Sequence, residues 1–421
     1  MTGVAVEARP LWRDRRFATY WTGQTISQFG DRISELALPL IAVATLAAST
    51  TQVGLLTAAV WAPNVVSLFV GSWVDQQQHK RRLLIAADLG RAAVLLSLPI
   101  AHVLGVVTLA QLFIVAVLSG LGQVLFQTSN QPFFVALVRR DQYIEANSLL
   151  STTRSASFIA GPAVGGGLIQ AVTAPVAVLL DALSFVASAV LLRRVRVTER
   201  PVAAAEAESL LRRAWEGMRF VVRDPYLKAS LGCATTVNFF NFMASALLIL
   251  FASRELGLPA GVIGLAFGLG GVGGIVGAVV ASRLSRAIGV GRAIVLGGIV
   301  FSAPIAFIPL AQGPTWAKAG VLVLAEFVSA AGVMWFDINA NALKASVIPD
   351  ELRSRVTGAY ATVNYGIRPL GAVAGGLLAE VIGTGATLVV AAVGGSLAVL
   401  WLLPSPIPGV RTVDELEPIA R

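Results

Sequence analysis

Gln24, Gln28, Asp31 and Glu35 interrupt an otherwise apolar stretch near the start of the chain. Their spacing places all four on one face of an α-helix. Two carboxylates one turn apart repel each other where solvent is scarce, so one of them is suited to taking up a proton. Arg32 lies three residues from Glu35 and about 100° round a helix from Asp31. It can pair with Glu35 and leave Asp31 as the titrating member. The chemistry would be reversible proton binding on the wall of a polar cavity. A second reading makes Arg32, Glu35 and Gln28 an ion-pair cluster that only packs the helix.

Other apolar stretches also carry polar groups. Asp337, with Asn341 one turn on, and Asp181 are further proton-coupling candidates. Asp88 and Arg91 read as a structural pair one turn apart. Gln24, Gln28, Arg32, Gln127, Gln131, Asn238, Asn241, Asn364 and Arg368 are candidates for lining a substrate cavity, with Trp61, Phe239, Phe242 and Trp335 as aromatic wall. Mixed amide and aromatic surface suits an amphiphilic organic molecule. Enzyme chemistry has no footing here. His79 and His102 are too far apart to act as a pair, and Cys233 stands alone, so neither a disulfide within the chain nor a cysteine metal site follows. "GLGGVG" (268–273) matches a nucleotide-binding glycine pattern but lies inside an apolar helix with no strand before it, and no phosphate-binding GxxxxGK[ST] loop occurs. No cofactor or metal is implied, and an ion gradient is the remaining energy source, worth about 2.3 kcal/mol per charge per 100 mV.

The elements that hold these residues must be membrane helices. Of 421 residues 56% are hydrophobic and 13% charged, about half the charge of a soluble domain. Apolar runs near the 20 residues that cross a bilayer recur near 16–46, 52–75, 81–104, 107–137, 143–172, 174–194, 226–253, 259–282, 290–312, 316–343, 352–382 and 384–403. The first is too long for a signal peptide. Basic residues fall on alternate loops: Arg9, Arg13, Arg15 and Arg16; Lys80, Arg81 and Arg82; Arg139 and Arg140; the 195–225 linker; Arg283, Arg286 and Arg292; Lys344, Arg353 and Arg355. The opposite loops hold Arg254 and Lys318. This asymmetry predicts a multi-pass plasma-membrane protein with both termini in the cytoplasm. In the linker, Leu211, Trp215, Met218 and Val222 share one face among arginines, which fits a helix lying on the inner leaflet rather than a nucleic-acid patch.

Shifted by 210 residues, the chain matches itself without a gap. Arg13-Asp14 falls on Arg223-Asp224, Gly54 on Gly264, Pro99 on Pro309, and Gly161, Gly165 and Gly166 on Gly371, Gly375 and Gly376. The expected architecture is all-α: a six-helix bundle over 1–195, a cytoplasmic linker over 196–222, a second six-helix bundle over 223–403 and a tail over 404–421. Parallel six-helix repeats with a substrate site between them are a transporter arrangement.

Three stretches carry a family resemblance. "GSWVDQQQHKRR" resembles the loop between helices 2 and 3 of the major facilitator superfamily, with Gly71, Asp75, Lys80 and Arg81 in place and Gln76 and Gln78 departing from it. In the family this aspartate helps latch the cytoplasmic side. "SFIAGPAVGG" resembles the helix 5 antiporter motif through Gly161, Pro162, Gly165 and Gly166, with Ser157 replacing its leading glycine. That motif implies an exporter. "FGDRISELALPL", "LLDALSFVAS" and "EGMRFVVRDPYLK" resemble the branch of macrolide efflux proteins and the enterobactin exporter. The resemblance implies a monomeric secondary transporter that exports an antibiotic, drug or siderophore in exchange for protons. A proton-coupled importer or a lipid flippase is the alternative. Apart from the resemblance, Gly161 and Gly165 would let two backbones approach closely, and Pro162 would bend its helix.

Overall fold

The structure is a computed structural model that describes residues 10–197, 210–349 and 352–413, and among these no strand occurs. Arg9, Asp350 and Glu351, most of the linker and the end of the tail lie outside the described residues. The long helices are α1 (Arg15–Leu40), α2 (Thr50–Trp61), α3 (Ser67–Gln76), α4 (Lys80–Val103), α5 (Leu109–Leu137), α6 (Tyr143–Val172), α7 (Ala174–Arg194), α8 (Leu210–Arg223), α9 (Pro225–Leu250), α10 (Ala260–Ile288), α11 (Val290–Ser302), α12 (Thr315–Val347), α13 (Arg353–Ile382) and α14 (Thr384–Leu397).

The 210-residue offset reappears in the helix boundaries. α1 and α9 begin and end in register, as do α6 and α13, and the starts of α2, α4 and α7 match those of α10, α11 and α14. Caps repeat too. Asp14 accepts from the N–H groups of Arg16 and Phe17, and its mate Asp224 accepts from Leu227. Both helices end in a wide turn, with Leu46 N–H bonding Ile41 O and Leu256 N–H bonding Phe251 O. The left-handed residues recur as pairs, Ala47 (φ 49) with Gly257 (φ 66) and Thr173 (φ 84) with Gly383 (φ 85).

Of the twelve expected spans, ten described helices are long and apolar enough to cross a membrane, and α2 with α3 forms an eleventh bent by 50°. α1 is set apart by its own charges, although its 26 residues reach about 39 Å, more than the roughly 30 Å hydrocarbon core. α8 lies against α13, where Glu216 pairs with Arg355. Its Trp215 and Val222 are exposed, while Val221 and Met218 pack on the bundle. The side chains of Leu211 and Arg213 lie outside the description.

α1 packs on α6 and α7, and α4 on α5 and α7; in the second repeat α9 packs on α13 and α14, and α12 on α10 and α11. The most extensive crossings between the repeats are α6 with α10 and α2 with α13. Glycine makes both possible. A Cβ on Gly166 would stand 2.5 Å from the Ala260 carbonyl oxygen, and one on Gly54 2.6 Å from that of Ala372. These crossings, with Arg254 Nη2 donating to Val43 O (3.0 Å) and Gly261 N–H to Gln170 Oε1 (3.0 Å), gather at the end of the bundle away from the termini.

Candidate functional site

Two polar clusters sit at the level of the α1 stripe. The first lies inside the amino-terminal repeat. Arg91 of α4 donates to Asp31 of α1, and its guanidinium rests 3.9 Å over the Phe185 ring of α7. Asp181, fully buried on α7, accepts from Ser34 and from Ser184 (3.2 Å). Gly30 permits this, because a side chain there would strike both Asp181 and Ser184. Asp88, 1% exposed, stands one turn before Arg91 with Oδ2 lacking a hydrogen bond among the described residues. The Asp31 charge reaches both Asp88 and Asp181. Three carboxylates thus surround one guanidinium.

The expected Asp88–Arg91 pair is therefore replaced by an Arg91–Asp31 pair. Asp88 and Arg91 lie on one helix, but the guanidinium reaches α1, whose glycine lets α7 come close. Arg32 Nη1 donates to Glu35 Oε2 at 2.6 Å, and Glu35 is exposed at the surface of the chain. Arg32 also lies 5.3 Å from the Phe158 ring of α6.

The second cluster bridges the repeats. The Arg368 guanidinium of α13 lies 4.3 Å from the ring of Tyr365, 4.7 Å from Trp61 and 4.9 Å from Phe242. Trp61 of α2 and Phe242 of α9 meet edge to face at 5.0 Å. Such a cage holds a cation through ring faces and leaves the guanidinium hydrogens for an acceptor. Beside it, Asn238 Nδ2 donates to Asn364 Oδ1 (3.0 Å). Asn241 is half-buried one turn further along α9. Buried Gln24 and half-buried Gln28 each have one amide atom without a partner among the described residues. Asp337 is exposed on α12 and its charge reaches Arg368. Gln127 and Gln131 are exposed on α5. The Phe239 backbone meets Gly371 while its ring stands edge-on to Phe240 at 5.2 Å, and Trp335 Nε1 donates to Gly277 O (3.1 Å), bracing the α10–α12 contact.

The glycine motif on α6 has two faces. Gly161 and Gly165 meet Arg32 and Ile33 of α1 within one repeat, whereas Gly166 meets α10 across the junction. Where α3 ends and α4 begins, Asp75 is exposed, buried Lys80 donates to the carbonyls of Val74 and Asp75, and Arg81 Nη1 donates to Val195 O (2.8 Å). Gly71 has open space beside it, the nearest atom being 3.8 Å away on Thr128.

Sequence reasoning missed Ser34, Ser184 and Tyr365. A signal existed for the serines, one turn from Asp31 and Asp181 respectively. A further signal was the repeat itself: the mates of Asp31, Arg91 and Asp181 are Asn241, Phe301 and Ala391, so this charge belongs to one repeat alone.

The family model described as Major Facilitator Superfamily matches residues 20–368 and 231–420. The chain is 26% identical over 386 residues to an uncharacterised MFS-type transporter, YfiS, of Bacillus subtilis (strain 168), covering 89% of each protein. It is 26% identical over 362 residues to the multidrug efflux pump Tap of Mycolicibacterium fortuitum, covering 83% of this chain and 85% of that protein. Among solved structures, a bacterial homologue of the iron transporter ferroportin in an inward-facing state superposes with a TM-score of 0.74 at 17% identity, covering 93% of this chain and 98% of that one. A bacterial homologue of the lysosomal transporter Spinster gives 0.73 at 13% identity, covering 98% and 100%.

Proposed function

Because this chain belongs to the major facilitator superfamily, whose members carry small-molecule substrates as single-chain membrane proteins, we propose that it exports an amphiphilic molecule in exchange for protons. The observation that carries the coupling is the Asp31–Arg91–Asp181 cluster with Asp88 beside it. Arg32 is engaged with Glu35, so one guanidinium faces three carboxylates. Surplus negative charge is costly inside a bilayer, and a proton is the compensating charge that can come and go. Substrate binds at the junction, between the Arg368 cage and the amides of α1 and α9. Proton release on one side and substrate release on the other then alternate as the two repeats rock, in the plasma membrane with both termini cytoplasmic. In that orientation the close crossings at Gly166 and Gly54 seal the outer side, and the conformer is inward-open. The repeats are taken as 1–195 and 223–403 about the linker, and the transporter acts as a monomer.

Support for export comes from the "SFIAGPAVGG" motif and from similarity to a multidrug efflux pump. The test is uptake into everted vesicles over a panel of antibiotics, dyes and siderophores, with and without a protonophore. Accumulation that collapses with the protonophore supports proton-driven export. Accumulation only in right-side-out vesicles would reverse the direction.

A further inference from the structure

Glu326 of α12 is a carboxylate that the cluster around Arg91 does not use. It is half-buried, makes no hydrogen bond or ion pair among the described residues, and no charged group reaches it. A side chain on Gly270 of α10 would strike its Cβ, so the two helices lie directly on each other here. Lys318, whose ammonium donates to Leu256 O (3.0 Å) near the outer end of the bundle, comes eight residues earlier, or about 12 Å of helix. Glu326 therefore stands within the hydrocarbon span. The groups that could neutralise it are elsewhere. α10 carries Arg283 and Arg286, α11 carries Arg292, and α9 carries Tyr226, Lys228 and Cys233, all toward their inner ends; the helical turn Ala303–Leu310 carries none. Asp337 lies eleven residues on, about 16 Å further inward.

Packing does not call for a carboxylate at this place. The mate of Glu326 in the first repeat is Ala116, fully buried in the apolar core. Glu326, Asp337, Asn341 and Lys344 fall within about 60° on one face of α12, opposite Val321, Leu324, Val328 and Trp335. That polar face turns toward α13, since the Lys344 ammonium lies 4.4 Å over the Tyr360 ring and the Asp337 charge reaches Arg368. It is the junction side of the helix. Its inner part is exposed at Asp337 and Asn341, and its outer part is half-covered at Glu326, as an inward-open conformer requires.

We infer that Glu326 is a second proton site, separate from the Arg91 cluster, and that its proton favours closure of the outer side. The inference rests on the rocking motion proposed above. When the repeats part on the outer side, water reaches the outer half of this face and the carboxylate can carry its charge. Closure withdraws that water, and a bare charge is then costly. The closed conformer thus binds the proton more tightly than the open one, and by reciprocity the bound proton favours closure. Acid outside loads Glu326, the outer side shuts, and the cavity opens inward for the next substrate.

The test uses the full chain in everted and right-side-out vesicles, carrying Asn241→Cys and labelled with a membrane-impermeant maleimide. Both faces are buffered alike at each pH, so the thiol's own titration cancels in the outer-to-inner ratio of rates. Expected is a ratio that rises with pH, one linked proton giving up to about tenfold per unit. Glu326→Gln and Glu326→Ala should each lose one proton's worth of that slope and lower the ratio at alkaline pH toward its acid value. Glu326→Asp should keep the slope. Glu326→Ala places the first repeat's own residue here, so it removes the charge without crowding the crossing. A slope unchanged in both neutral variants, a ratio raised by them, or no pH dependence in the parent protein overturns the proposal. Vesicle accumulation that ignores the protonophore would remove proton exchange from the export reading without touching this ratio. An unchanged slope in the variants would remove Glu326 without touching the Arg91 cluster.

Discussion

Gly166→Ala is the sharpest probe of the junction between repeats. The added methyl would stand 2.5 Å from Ala260 O and 2.9 Å from Gly264 Cα, both backbone atoms that cannot swing aside. Ordinary contact begins near 3.4 Å, so α10 must retreat by close to 0.9 Å. Overpacking of this kind costs about 1–3 kcal/mol. On the proposed rocking motion α6 and α10 separate in the opposite conformer, which feels none of this cost. The equilibrium should therefore shift about five- to 150-fold toward that conformer. A cysteine at Asn241 reports the shift by its labelling rate with a membrane-impermeant maleimide applied from either side. The native Cys233 is buried and contributes little background. Labelling from the outer side should accelerate and labelling from the inner side slow. Gly161→Ala is the control, since its methyl would meet Arg32 Cγ and Cβ of α1 within one repeat; it should leave the ratio alone, whatever it costs in stability. Equal ratios for wild type and Gly166→Ala, in well-folded protein, would refute the idea that this crossing closes one side.

Asp181→Asn and Asp31→Asn should each still bind substrate but lose accumulation driven by an imposed pH gradient; full gradient-driven transport in either variant removes that residue from the relay. Thr173 has φ 84 and ψ 155, a region that glycine alone adopts freely, and its mate Gly383 shows the same geometry. Relief of that strain in Thr173→Gly is worth about 1–3 kcal/mol, to be read as a rise in thermal midpoint in detergent; a lower midpoint contradicts it. A topology reporter fused after Gly313 should read periplasmic and one after Asp141 cytoplasmic, and reversal at either site overturns the assigned orientation.

Composition, apolar run length and a 210-residue self-match were enough to predict an all-α membrane protein of two six-helix repeats, and the resemblance to the major facilitator superfamily rested on short motifs such as "GSWVDQQQHKRR" and "SFIAGPAVGG". Those properties are local or periodic, so they survive in one dimension. Bilayer thickness dictates run length, and a duplicated fold keeps its caps, wide turns and glycines in step. The α1 stripe was legible for the same reason, since i, i+3 and i+4 spacing specifies a face. Partnership was not legible. Arg91 is three residues from Asp88 yet pairs with Asp31, 60 positions away, and Gly30 lets α7 close on α1 beside that pair. The Arg368 cage draws Trp61 from across the junction, over 300 residues distant in the chain. The roles of Gly161 and Gly166 also separated only in three dimensions, where one meets its own repeat and the other meets the opposite one. Lys344 read as loop charge by sequence order and became the wall of a cavity once α13 packed beside it. Spacing determines which side chains share a face, but only the packing of helices remote in sequence decides what that face meets.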